Sequence, residues 1–135
     1  MKHDEFMGQV QHRARLSSRG EAERATRATL ETLAERLAGG EAQDLAAQLP
    51  PEIGDYLRDT WSAKGERFSL HEFFQRVSLR ERVDVQKATF HARAVIDVLK
   101  EAVSQGELKD ARAQLPADFN RLFEAGSEGK MPQVQ

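Results

Sequence analysis

Gly40-Glu41-Ala42-Gln43-Asp44-Leu45-Ala46-Ala47-Gln48-Leu49-Pro50 returns later as Gly106-Glu107-Leu108-Lys109-Asp110-Ala111-Arg112-Ala113-Gln114-Leu115-Pro116. The shared pattern is Gly-Glu-x-x-Asp-x-x-Ala-Gln-Leu-Pro, and the match extends outward on its N-terminal side. Arg27 pairs with Arg93, Ala28 with Ala94, Leu33 with Leu99 and Glu35 with Glu101. Farther back, Glu5 pairs with Glu72, Phe6 with Phe73, Val10 with Val77, Arg13 with Arg80 and Arg15 with Arg82, once one residue is lost in the loop after Leu16 or Val83. Asp4 to Leu57 therefore answers His71 to Phe123. A gapped match over so long a span marks a duplicated unit.

Each unit reads as four helices. The first, from about His3 to Arg15, carries Phe6, Met7 and Val10, answered by Leu70, Phe73, Phe74 and Val77. The longest, near Arg19 to Ala38, places Ala22, Thr26, Leu30, Leu33 and Leu37 in one stripe at helical spacing, as do Ala88, Ala92, Val95, Ile96, Leu99 and Val103. Ala42, Leu45, Ala46 and Leu49 mark a short third helix, answered by Leu108, Ala111 and Leu115. A fourth begins at the prolines and carries Ile53, Tyr56 and Leu57, answered by Phe119, Leu122 and Phe123. Ser18 to Glu21 and Ser69 to Glu72 have capping-box spacing, Phe68 and Phe73 stand as a staple, and Asp84 suits an N-cap. Gly39, Gly40 and Gly106 are expected at left-handed helix ends, with Pro50, Pro51 and Pro116 in the first turns that follow. No period-two run predicts a strand, so the expected class is all-α.

At 135 residues the chain fits one compact domain, expected over residues 1–125. Repeat one covers about 3–60 and repeat two about 69–124, packed through an approximate two-fold axis as a helical bundle. Trp61, at the junction, is expected to seal the contact between units, and residues 126–135 are expected to be a disordered tail. Lys and Arg number 20 against 22 Asp and Glu, which argues against a polycationic arm or an acidic tail. The absence of cysteine excludes disulfides, thiolate metal sites and thiol catalysis. No apolar run has spanning length and the N-terminus lacks a signal peptide's apolar stretch, so a cytoplasmic protein without membrane contact is expected.

The repeated Glu-x-x-Asp-x-x-Ala-Gln-Leu-Pro block, Asp4-Glu5-Phe6 and the run Ala25 to Leu37 together resemble the bacterial and archaeal family called domain of unknown function 2267. The resemblance runs from Asp4 to about Phe123. It implies a small helical protein of two related halves and brings no catalytic residue with it.

Glu41 with Asp44, and Glu107 with Asp110, each put two carboxylates on one helical face. Each pair opens a helix after glycine, where the dipole favours negative charge, and no third ligand recurs beside them in sequence. Gln48 and Gln114 are expected to bond orphan carbonyls at the end of the third helices. His3 and His71 fall near each other in the repeat, but they and His12 and His91 lack metal-ligand spacing. No nucleophile elbow, Walker loop or dinucleotide fingerprint is present. The expectation is therefore no enzyme, no metal and no cofactor.

Arginines gather at both first-to-second helix corners: Arg13, Arg15, Arg19, Arg24 and Arg27 in one, Arg76, Arg80, Arg82, Lys87 and Arg93 in the other. Met7, Phe74, Leu79 and Val85 are apolar residues that the main stripes do not clearly need. Two function classes follow. The first is a non-enzymatic protein-interaction or scaffold module, with an unknown protein partner or a homodimer, which requires an exposed apolar surface. The alternative is a nucleic-acid-associated protein contacting phosphates through Arg13, Arg15, Arg80 and Arg82, which requires those arginines free of acidic partners.

Overall fold

The computed structural model describes residues 1–38, 40–58 and 65–124. In order these form α1 (His3–Arg13), α2 (Arg19–Arg36), α3 (Glu41–Ala47), α4 (Pro51–Arg58), α5 (Leu70–Glu81), α6 (Val85–Ala102), α7 (Gln105–Ala113), a 3₁₀ turn (Ala117–Phe119) and α8 (Asn120–Phe123). Among the described residues there is no strand. Trp61 and the segment 126–135 lie outside the described residues.

The helix starts follow the capping chemistry. Ser18 accepts from the Glu21 amide while Glu21 reaches back, Ser69 accepts from Glu72, and Asp84 accepts from Lys87. Pro51 opens α4, where the missing N–H costs nothing. The second fourth helix departs from its counterpart: Pro116 precedes a 3₁₀ turn and a single α turn.

The glycine expectation is corrected. Gly106 lies inside α7, whose N-cap is Ser104, and Gly40 caps α3 with φ −93°; Gly39 lies outside the described residues. The left-handed helix ends are instead Arg15 (φ 55°) and Arg82 (φ 64°). The Leu16 amide returns to the Gln11 carbonyl at 2.9 Å and the Val83 amide to Ser78 at 3.3 Å, the six-to-one closure of a Schellman turn. Leu16 and Val83 then pack against the core, which holds each arginine in a conformation its Cβ disfavours.

The stripes of α2 and α6 are buried along their lengths, with Leu30, Leu37, Val95 and Leu99 at 0 % exposure, and residues of both halves join one hydrophobic cluster. α2 contacts α1, α4, α5 and α6, while α6 contacts α1, α5 and α8. Alanines at 22, 25 and 28 on α2, and at 88 and 92 on α6, keep these crossings close. Thr32 satisfies its buried hydroxyl on the Ala28 carbonyl at 2.8 Å. α4 presses on α3 so tightly that a Cβ at Gly54 would stand 2.8 Å from the Ala46 carbonyl oxygen, which only glycine permits.

Gln48 and Gln114 do not serve the ends of their own helices. Gln48 Oε1 accepts from the Ser104 amide at 2.6 Å, and Gln114 Oε1 accepts from the Ala38 amide at 2.8 Å. Turn bonds already occupy the carbonyls of Leu45 and Ala46, accepting from the Gln48 and Leu49 amides. The amides that follow α6 and α2 need acceptors, and each glutamine supplies one across to the other half.

Candidate functional site

Where α2 meets α5, a buried acid organises several arginines. Glu35 is 3 % exposed. Arg80 Nη1 donates to its Oε1 at 3.0 Å and to Thr32 Oγ1 at 2.7 Å, and Arg76 Nη1 donates to the same carboxylate at 3.1 Å. Arg76 also reaches Glu66 and Glu72 and stacks 3.9 Å from the Phe68 ring centre. Burial works against the Arg76 charge, but the hydrogen bonds to Glu66, Glu72 and Glu35 outweigh it and hold its pKa above the ordinary value.

Beside this network lies a cleft of about 510 Å³ lined by Arg24, Arg27, Ala28, Glu31, Arg80 and Arg82. Arg27 is tied to Glu31 at 3.0 Å and Arg80 to Glu35. Arg24 and Arg82 are exposed, and their side chains make no hydrogen bond or ion pair among the described residues. The expectation of corner arginines free of acidic partners therefore divides. Arg13 binds Glu101 through both terminal nitrogens, at 2.9 and 2.8 Å, and Arg80 binds Glu35, so both tie helices together. Arg82 and Arg15 stay exposed. Arg24, which the corner reading grouped with the other corner, lines the same cleft as Arg82, because α5 packs along α2.

The apolar candidates divide as well. Met7 is 0 % exposed and Phe74 8 %, whereas Leu79 is 79 % and Val85 39 % exposed. These last two flank Arg82 in the corner between α5 and α6.

The two carboxylate pairs converge, which corrects the reading that no third ligand stands nearby. Glu41, Asp44 and Glu107 place one oxygen each within 4.8 Å of one another, because α3 and α7 abut. Among the described residues this is the group that could share a hard cation through oxygen ligands. Glu41 and Asp44 sit in the first turn of α3 and Glu107 in that of α7, as the dipole argument expects, whereas Asp110 lies a turn farther along because α7 starts at Gln105. Glu41 Oε1 and Glu107 Oε2 are shielded from solvent with no donor among the described residues.

Burial, together with the charges of Asp110, Asp44 and Glu107, pushes the Glu41 carboxyl above its ordinary value of 4.5. The folded state then holds this proton more tightly than the unfolded chain. The penalty is complete above the raised pKa and fades as pH falls through it towards 4.5. Glu41→Gln should raise the thermal midpoint at pH 7 in chelator-containing buffer, with the gain shrinking as the pH approaches about 4. Calorimetry of both proteins across that range checks this, and an unmoved or lowered midpoint at pH 7 contradicts the repulsion.

The histidines do not assemble a metal site among the described residues. His3 lies by Asp4 and Arg19, while His12 and His71 are exposed. His91, 7 % exposed, pairs through Nδ1 with Glu81, itself 3 % exposed. The matching positions in the first half are the buried alanines Ala14 and Ala25, so this polar pair is specific to the second half.

Residues 3–122 match DUF2267, a family of uncharacterized conserved proteins. The chain belongs to this family. No curated protein matches it. The DUF2267 match spans both halves, and with it the α2–α5 cleft and the acidic cluster. Among the described residues of this DUF2267 chain, no helix is long and apolar enough to cross a membrane.

Sequence reasoning missed Glu31 and Glu35 as partners of the arginines. The signal was present: Arg13 and Glu101 match Arg80 and Glu35 across the repeat. Two matched arginines and two matched glutamates on apolar-striped helices fit a pair of reciprocal bonds.

Proposed function

We propose that this chain is a non-enzymatic interaction module that docks an acidic protein segment in the α2–α5 cleft. The observation that carries the reading is the pair Arg24 and Arg82, exposed and without acidic partners among the described residues, in a cleft whose third arginine, Arg80, is fixed by Glu35. The guanidiniums of Arg24 and Arg82 each present a planar fork that matches a carboxylate. Leu79 and Val85 offer apolar contact beside the charge, which favours a protein segment over a phosphate backbone.

An approximate two-fold relation between the halves is part of this reading. It is supported by two 18-residue helices at matching positions and by the reciprocal ties Arg13–Glu101 with Arg80–Glu35 and Gln48–Ser104 with Gln114–Ala38. Phe90 then occupies the place of Arg24 in the second half. The basic cleft therefore occurs once per chain, and one partner per chain is expected.

The test compares the native chain with Arg24→Glu/Arg82→Glu in affinity capture from lysate, with nuclease and over a salt series. A protein retained after nuclease by the native chain, released by salt and lost by the variant supports the proposal. Recovery of nucleic acid, with partners that vanish on nuclease treatment, transfers the cleft to phosphate binding. Equal capture by both proteins sinks the cleft as the docking site.

A further inference from the structure

Arg36 departs from the pattern of the other arginines packed between these helices. Arg13, Arg76 and Arg80 are all more exposed, yet each meets a carboxylate. Arg36, only 8 % exposed, has no carboxylate within ion-pair distance among the described residues. Its Nε donates to the Phe68 carbonyl at 3.0 Å, and its guanidinium lies 5.8 and 5.4 Å from the ring centres of Phe68 and Phe119. These contacts leave its terminal nitrogens without a hydrogen bond among the described residues. Asp118 acts on it only at a distance, and that carboxylate already accepts from the Leu70 amide at 3.0 Å. Burial, with Arg67 alongside, pulls the Arg36 pKa below its ordinary value. A buried charge beside a like charge is costly unless an opposite charge joins it.

Space for that charge is present. A cavity of about 370 Å³ is lined by Arg36, Arg67, Gln114, Ala38, Leu115 and Pro116 among others, with no acidic side chain among the described residues of its wall. Gln114 spends its Oε1 on Ala38, leaving its amide nitrogen able to donate. Arg36, Arg67 and Gln114 bring two guanidiniums and an amide to the lining, and Ala38, Leu115 and Pro116 bring apolar surface.

We propose that this cavity binds a phosphate monoester, its phosphate held by Arg36, Arg67 and Gln114 and its organic group against Leu115 and Pro116. Two guanidiniums match a dianionic tetrahedral group better than a single carboxylate. The volume exceeds a bare phosphate ion and suits a small organic ester. The position matching Arg36 in the second half is Ala102, so the site occurs once.

The experiment is titration calorimetry at constant ionic strength with glycerol 3-phosphate, inorganic phosphate and acetate. It uses the full chain carrying Arg24→Gln/Arg82→Gln, so that the α2–α5 cleft contributes no binding. Saturable one-to-one binding is expected, tightest for the monoester and weakest for acetate. Arg67→Gln, at an exposed position, should weaken the monoester about tenfold, the scale of one charged hydrogen bond. Arg36→Met should abolish binding while retaining the stacked packing volume. Binding of inorganic phosphate as tight as that of the monoester overturns the role of the apolar wall. Acetate binding equal to both, no saturable binding, or affinity unchanged by Arg67→Gln overturns the site. Because the cleft arginines are already removed, failure here leaves the docking proposal standing, and success does not depend on it.

Discussion

Glu35→Ala should cost about 3–5 kcal/mol of folding stability, the scale for removing one partner of a buried ion pair. That is a large share of the roughly 5–15 kcal/mol that holds a domain together. At 3 % exposure the Glu35 carboxylate is the acceptor on which Arg80 and Arg76 converge from α5, and Arg80 also holds Thr32. Its loss takes from Arg80 the carboxylate that holds it, while Arg76 keeps Glu66 and Glu72. Urea unfolding of the variant measures the cost. Glu35→Met combined with Arg80→Met should recover part of it, because an apolar pair leaves no uncompensated charge of its own. A loss below about 1 kcal/mol for Glu35→Ala would mean that the pair behaves like a solvated surface contact. Glu101 is the internal control: it pairs with Arg13 at the matching place in the other half, but its side chain is 51 % exposed. Glu101→Ala should therefore cost less than about 1 kcal/mol.

Phe73→Ala should cost a similar amount, about 3–5 kcal/mol, from lost transfer energy and the cavity left behind. Phe73 is 0 % exposed and meets Phe74 and Phe119 edge-on, each at 5.7 Å between ring centres. Those contacts join α5 to the 3₁₀ turn before α8, so truncation loosens the end of the chain as well as the core. Denaturant unfolding followed by far-ultraviolet circular dichroism gives the loss, and Phe73→Leu should recover more than half of it. A cost under about 1 kcal/mol for the alanine variant would show that this ring is not packed as described.

Helix class and helix starts were legible because they are local. The stripes of α2 and α6 repeat at helical spacing, and Ser18, Ser69 and Asp84 cap where their side chains can reach an amide three residues on. The glycine reading failed at Gly106 for an equally local reason: Ser104, two residues earlier, is the better cap and starts α7 ahead of the glycine. The left-handed ends at Arg15 and Arg82 were not legible, because the strain is offset by the packing of Leu16 and Val83 on the core rather than by residue type.

The sequence by itself determined an all-α chain, the matched halves, the faces that would be buried and the caps at Ser18, Ser69 and Asp84. Each of these depends on chemistry within one turn or on the period of one helix. Only the tertiary structure decided what the charged residues do. Arg80 and Arg82 are two residues apart, yet one is fixed against buried Glu35 and the other is exposed at the rim of a cleft with Arg24. Glu41 and Glu107 face each other because α3 abuts α7, and Arg36 is buried because Phe68 and Phe119 close over it. A charge takes its role from the dielectric and the partners around it, and those come from segments far away in the chain.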